Sequence, residues 1–180
     1  RMEALESILK RLHKKDITPK YIYTIPTVQN PTGTIMPEER RLKFLKIARG
    51  YGVPIFEDDC YADLTFGAER PKAIRALDEG GQVIFCGSFS KTVAPALRVG
   101  FLAADWKILS QILAVKHDAG SGALEQMVLG EYCPNHFDGH LGRLRAVLKK
   151  KCETIMEALA AEFGIAAEFS APSGGIFIWV

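Results

Sequence analysis

"CGSFSKTVAPALRVG", Cys86 to Gly100, decides how this 180-residue chain is read. An apolar, β-rich run, "QVIFC" (82–86), leads into a small turn that carries two hydroxyls, Ser88 and Ser90. Lys91 comes next, and Arg98 stands seven residues further on, against another apolar run. A lysine placed where a helix starts meets the positive end of the helix dipole, so something anionic or covalently bound is needed to compensate it. A lysine in that setting can act as a nucleophile toward an aldehyde. The plain alternative is a surface lysine. Ser88, Ser90 and Arg98 around one loop suit a phosphate dianion, because hydroxyls give single hydrogen bonds and a guanidinium offers a planar fork. The plain alternative there is serine turn chemistry, with an arginine covering the end of a sheet.

Upstream, "YIYTIP" (21–26) reads as a buried strand and "QNPTG" (29–33) as the loop that follows it. "VPIF" (53–56) is a second strand that ends in "EDDCY" (57–61). After a polar loop containing Pro71, "QVIFC" is the third strand and "VGFLAA" (99–104) the fourth. The spacing of Leu5, Ile8, Leu9 and Leu12 predicts a helix over 3–14. Pro37 sits early in a second amphipathic helix that runs to about Tyr51, where Gly50 and Gly52 supply a stop. Further helices are expected over 105–117, 122–132 and 139–163, with Pro134 between the last two and Gly139 at the start of the last. "AAEFS" (166–170) and "GIFIWV" (175–180) are expected to be closing strands. Strands separated by helices indicate an α/β fold with a mainly parallel sheet and flanking helices. Ligands of such sheets sit at the carboxyl ends of the strands. "QNPTG", "EDDCY" and "GSFSK" each follow a strand.

"EDDCY" places three carboxylates in a row. Like charges repel, so some must face solvent or a cation. Asp58 and Tyr61 are three apart and can project into one cleft, the carboxylate toward a protonated ring nitrogen and the phenol toward a ligand oxygen. Glu57 and Asp59 are expected to be solvated members of a capping cluster. Asn30 belongs to "NPTG", which is turn chemistry by default, although its amide can also donate to a ligand oxygen at the sheet end.

Composition narrows the function classes. Apolar residues make up 48% and charged residues 24%, which is ordinary for a globular chain with a core. Twenty-three basic residues against 21 acidic ones leave +2, too balanced for nucleic acid or an anionic membrane to be the main partner. No apolar run approaches a membrane span, and "RMEALESILKRLHKK" is an amphipathic helix rather than a secretory signal, so a cytoplasmic protein is expected. Cys60, Cys86, Cys133 and Cys152 are scattered without a C-x-x-C pair, which favours free thiols in a reducing compartment. His136 and His140 are four apart, but Pro134 and Gly139 make a continuous helix doubtful and no carboxylate completes a metal site. "KKK" (149–151) reads as a solvated helix face, and Gly174 and Gly175 as a turn.

Taken in order and at this spacing, "QNPTG", "EDDCY", "SFSK" and "LRVG" resemble the class I/II aminotransferases, fold-type I enzymes that use pyridoxal 5′-phosphate (PLP). "SAPSGGIFIWV" resembles that family's entry into its small carboxyl-terminal domain. The style of "EDDCY" and "SKTVAPALRVG" is similar to the branch holding aminoadipate and kynurenine aminotransferases and MocR-type regulators. The resemblance implies that residues 1–135 form part of the large PLP-binding domain. Residues 136–180 would supply a linking helix and the start of the small α+β domain. It implies that Lys91 is joined to the cofactor aldehyde, that Asp58 holds the pyridine nitrogen protonated, that Tyr61 and Asn30 bond the phenolic oxygen, and that Ser88, Ser90 and Arg98 grip the phosphate. Lys91 would then move the α-proton of an amino acid, and a 2-oxo acid would complete a ping-pong amino transfer. The family's upstream phosphate loop, its ring-stacking aromatic, its residue that reaches a neighbouring subunit and its downstream carboxylate-binding arginine are not found in these residues. The chain alone is therefore expected not to be a competent aminotransferase, and the full-length protein is expected to be a homodimer. A PLP-dependent lyase on the same fold and the PLP-binding effector domain of a MocR-type regulator are the alternatives.

Overall fold

A computed structural model describes residues 1–67, 70–118 and 120–180. Part of the polar loop around Pro71, residues 68 and 69, lies outside this description. Four strands form one sheet in the order β1 (Ile22–Thr24), β2 (Ile55–Asp58), β3 (Val83–Ser88) and β4 (Gly100–Ala103). The first three are parallel and β4 returns antiparallel to β3. The expected α/β architecture with a mainly parallel sheet is therefore present.

Register divides the sheet into two unlike faces. Ile22, Ile55 and Val83 are level with one another and share a face, while Tyr23, Phe56 and Ile84 share the opposite one. The first face is the core. Helix α2 (Glu38–Gly50) packs Phe44, Leu45 and Ala48 against Ile55 and Val83, and Ile74 of the short helix α3 (Ile74–Leu77) completes the cluster. Helix α1 (Met2–His13) joins through Leu9, which packs with Ile47 and Val53. The other face stays open at β1, where Tyr21 and Tyr23 are more than half exposed. "YIYTIP" is thus not a fully buried strand; its aromatic residues recur at every second position and so point to the same side.

The loop between β2 and β3 contains more structure than its polarity suggests, namely a 3₁₀ turn at Ala62–Leu64 and α3. Buried Glu57 explains α3: its carboxylate accepts the backbone N–H groups of Ile74 (2.7 Å) and Arg75 (2.8 Å), the donors freed at a helix start. Burial raises the Glu57 carboxyl above the usual range against those two bonds. Glu57 does cap, as expected, but it is fully buried rather than solvated. Asp59 is buried as well, paired with Arg70.

Helix α4 (Trp106–Val115) is capped by Asp105, whose Oδ1 accepts from Lys107 N at 2.9 Å. Helix α5 runs unbroken from Ala123 to Phe163 with Pro134 inside it, where two helices were expected. Proline removes one rung of the helix ladder. The helix continues because contacts on the carboxyl side hold it: Leu141 is buried, and Leu144 and Leu148 pack on Val28, Tyr61 and Leu64. No helix among the described residues is long and apolar enough to cross a membrane.

The closing segments are not strands. Residues 164–166 form a 3₁₀ turn, and 167–180 are irregular, with bends at 173, 175 and 176 and one bridge among the described residues, between Gly174 and Thr65. A strand needs a ladder partner along its length, and here only the "SGG" residues find one. Three backbone bonds seat them: Phe66 N to Ser173 O (2.9 Å), Ser173 N to Gly33 O (3.1 Å) and Gly175 N to Leu64 O (2.9 Å). This segment wedges between the "NPTG" loop and the loop after "EDDCY".

Candidate active site

Three parallel strands in sequence order bring their carboxyl ends to one edge of the sheet. Asp58 is the last residue of β2, level with Cys86 of β3, and Asp59 N donates to Cys86 O at 2.9 Å. Ser88 is the last residue of β3. Its hydroxyl lies 3.1 Å from Ser90 Oγ and accepts Ser90 N–H at 3.1 Å, a serine turn that points two hydroxyls into one loop. Gly87 before it leaves room for the Phe101 ring of β4, which lies where a Cβ would otherwise stand.

Lys91 is exposed in the turn that follows, which is closed by Val93 N and Ala94 N on Phe89 O. No α-helix begins at Lys91, so the expected opposition from a helix dipole has no source; a 3₁₀ turn, Pro95–Leu97, comes next. Arg98 then adopts a left-handed backbone, φ 52°, uncommon for a side chain of its kind. Its Nη1 donates to Pro95 O at 3.3 Å. Asn30 and Tyr61 meet from the other side of the edge, Asn30 Nδ2 donating to Tyr61 Oη at 3.5 Å. Tyr61 is buried, edge-on to Phe177 with ring centroids 5.8 Å apart, and burial raises its hydroxyl above the usual range. The Asn30 loop is fixed by buried Arg41, which donates to Pro26 O, Met36 O, Lys72 O and Thr27 Oγ1.

Asp58 is the electrostatic centre of this edge. Among the described residues it forms no ion pair. Its Oδ2 accepts the Tyr23 hydroxyl at 2.6 Å, and Oδ1 has only a long approach, 3.4 Å, from Cys60 N. The neighbouring thiols are neutral: burial, then the Asp58 charge, pushes Cys60 up to about 12, and the same causes raise Cys86. Asp58, the Ser88–Ser90 hydroxyls and the Asn30–Tyr61 pair follow the ends of parallel strands at one edge, with Lys91 and Arg98 exposed in the turns after β3, and the chemistry of these groups suits a ring with a basic nitrogen, a phenolic oxygen, an aldehyde and a phosphate arm.

Sequence reasoning missed two residues here. Tyr23 was hidden in a strand read as buried, although its two-residue spacing from Tyr21 marks an open face. His140, considered only as a metal ligand, instead donates from Nε2 to Thr92 O at 2.8 Å and so ties α5 to the Lys91 turn. Arg145 makes the matching tie to Asp63 O at 2.6 Å, below "EDDCY".

The model of the family "Aminotransferase class I and II" matches residues 1–180. The chain belongs to this family. NorG, an HTH-type transcriptional regulator of Staphylococcus aureus (strain N315), is 40% identical over 164 residues, covering 89% of this chain and 37% of NorG. Aromatic-amino-acid aminotransferase 1 of Thermococcus litoralis is 33% identical over 181 residues, covering 99% of this chain and 43% of that enzyme. The crystal structure of LysN, the α-aminoadipate aminotransferase of Thermus thermophilus in complex with N-(5′-phosphopyridoxyl)-L-leucine, superimposes with a TM-score of 0.91 at 34% identity. The match covers 99% of this chain and 46% of LysN. The chain thus spans less than half the length of the aminotransferase-family proteins it matches.

Proposed function

We propose that this chain is the cofactor-binding part of a PLP-dependent aminotransferase that moves an amino group between an amino acid and a 2-oxo acid. The observation that carries the reading is Asp58: a half-buried carboxylate at the tip of β2, without an ion-pair partner among the described residues, at the sheet edge where β3 ends in Ser88 and leads to Ser90 and Lys91. LysN, whose match covers 99% of this chain at 34% identity, was crystallised with a phosphopyridoxyl adduct, which supports the reading. Asp58 accepts a hydrogen bond from the protonated ring nitrogen. Asn30 and Tyr61 bond the phenolic oxygen. Ser88, Ser90 and Arg98 hold the phosphate, the arginine as a fork and the serines as single donors. The chemistry supplied by the bound cofactor is that of an electron sink for the substrate α-carbon. Lys91 would anchor the cofactor through its ε-amine; once the substrate's amino group takes its place there, the freed amine would take the α-proton as general base and return a proton as general acid. Release of a 2-oxo acid precedes binding of the second one, which makes the kinetics ping-pong.

Residues 1–135 belong in this reading to the large domain and 136–180 to the linking helix and the start of the small domain. The full-length protein acts in the cytoplasm as a homodimer, and the 180 residues alone do not catalyse transfer. In the full-length protein Lys91→Ala is expected to abolish amino transfer to a 2-oxo acid, measured as product formation in single turnover; retained transfer would show that another base serves.

The 40% identity to NorG favours a second reading, a PLP-binding effector domain of a transcription regulator. The same residues would then hold PLP, and the full-length protein would bind DNA in a PLP-dependent way without sustained amino transfer. A PLP-dependent lyase would consume the amino acid without needing a 2-oxo acid.

A further inference from the structure

We propose that Tyr23 is a positioning residue for the cofactor, holding Asp58 so that one carboxylate oxygen stays turned toward the ring nitrogen; this rests on the PLP reading above. Tyr23 is the middle residue of β1, on the sheet face away from the helices and level with Phe56. Its ring stacks on Phe56, with centroids 6.1 Å apart and planes at 27°. Asp58 lies two residues beyond Phe56 and therefore on the same face. Tyr23 thus leans along the strand, and its hydroxyl donates to Asp58 Oδ2 at 2.6 Å, the short distance of a bond to a charged acceptor.

The two oxygens of Asp58 are unequal as a result. Oδ2 is engaged, while Oδ1, with only its 3.4 Å approach from Cys60 N, keeps its capacity to accept. No basic side chain among the described residues competes for either oxygen as an ion pair. Partial burial and then the bond to Asp58 raise the Tyr23 phenol well above its ordinary value, so it keeps its proton and can donate. The Cys60 and Cys86 thiols nearby are also held protonated and add no charge. A donated bond fixes the plane of the carboxylate, so that Oδ1 would be presented to the ring nitrogen as its acceptor.

The test is a set of PLP dissociation constants, from absorbance titrations of the full-length protein, for the wild type, Tyr23→Phe, Asp58→Asn and the double variant. The same titrations use an analogue that keeps the aldehyde and phosphate but has CH in place of the ring nitrogen. Tyr23→Phe is expected to weaken PLP about tenfold, in line with the worth of one hydrogen bond to a charged group. Its effect is expected to fall below about twofold with the analogue or in the Asp58→Asn background, because either the nitrogen or the carboxylate that the bond serves is then missing. Equal weakening of PLP and analogue would mean that Tyr23 merely packs, and unchanged PLP affinity would mean that it does nothing for the cofactor; either overturns the proposal. A wild type that binds no PLP overturns the cofactor reading itself, and the proposal with it.

Discussion

Asp58 and Asp59 are neighbours with opposite surroundings. Asp58 ends β2 on the open face with one oxygen only weakly engaged, whereas Asp59 turns inward, where Oδ1 has no partner among the described residues and Oδ2 pairs with Arg70. Burial pushes the Asp59 carboxyl from 3.8 up to about 6, against the opposing pull of Arg70. The folded protein therefore holds the Asp59 proton more tightly than the unfolded chain does. The resulting stabilisation is complete below the unfolded value and is lost as pH rises through the folded one. Stability is expected to decline between about pH 4 and pH 6 by as much as roughly 3 kcal/mol from this group. Asp59→Asn should flatten that decline, read from urea midpoints across the range; an unchanged slope would place the titration elsewhere. At the site, Asp58→Asn replaces an anion with a neutral amide and is expected to lower the rate of amino transfer by at least about a hundredfold while PLP still binds. A near-native rate would remove Asp58 from its role.

Elements differ in how much of them could be read. The three parallel strands and the helices around them were legible because each carries its own period: Leu5, Leu9 and Leu12 for α1, and the short β-rich runs for β1 to β3. Asn30, Asp58 and Ser88 could be assigned to one edge because parallel strands share their carboxyl ends. What the pattern could not carry were features fixed by distant contacts. Glu57 is buried only because α3, 17 residues later, presents two free N–H groups to it. Helix α5 passes Pro134 because Leu141, Leu144 and Leu148 have a cluster to pack on. "GIFIWV" is a β-rich apolar run, yet among the described residues it has no neighbour to pair with along its length. The "SGG" wedge depends on glycine for a similar reason. A Cβ at Gly174 would stand 2.5 Å from Leu64 O and 2.7 Å from Thr65 Cα, both backbone atoms that cannot swing away. Gly174→Ala is expected to cost about 2 kcal/mol, in the range of an overpacked site, and to speed hydrogen exchange at the Phe66 amide. An unaltered Phe66 amide would show that the wedge does not hold the loop.

The whole molecule carries an open sheet face and an exposed edge. All four residues of β4 are exposed, and Leu102 stands on the face shared with Tyr23 and Phe56. An uncovered apolar edge invites strand pairing between copies. The 180-residue chain is expected to sediment as a concentration-dependent mixture, and Leu102→Lys to shift it toward monomer; a monomer at every concentration would show that the edge is protected. The central claim is that three strand tips gather one PLP molecule against one lysine. Its most direct test is borohydride reduction of the full-length protein after incubation with PLP, followed by peptide mass mapping. A phosphopyridoxyl group on Lys91, lost in Lys91→Ala, is the expected result. A protein that takes up no PLP, or takes it up on lysines scattered over the surface, would contradict the account.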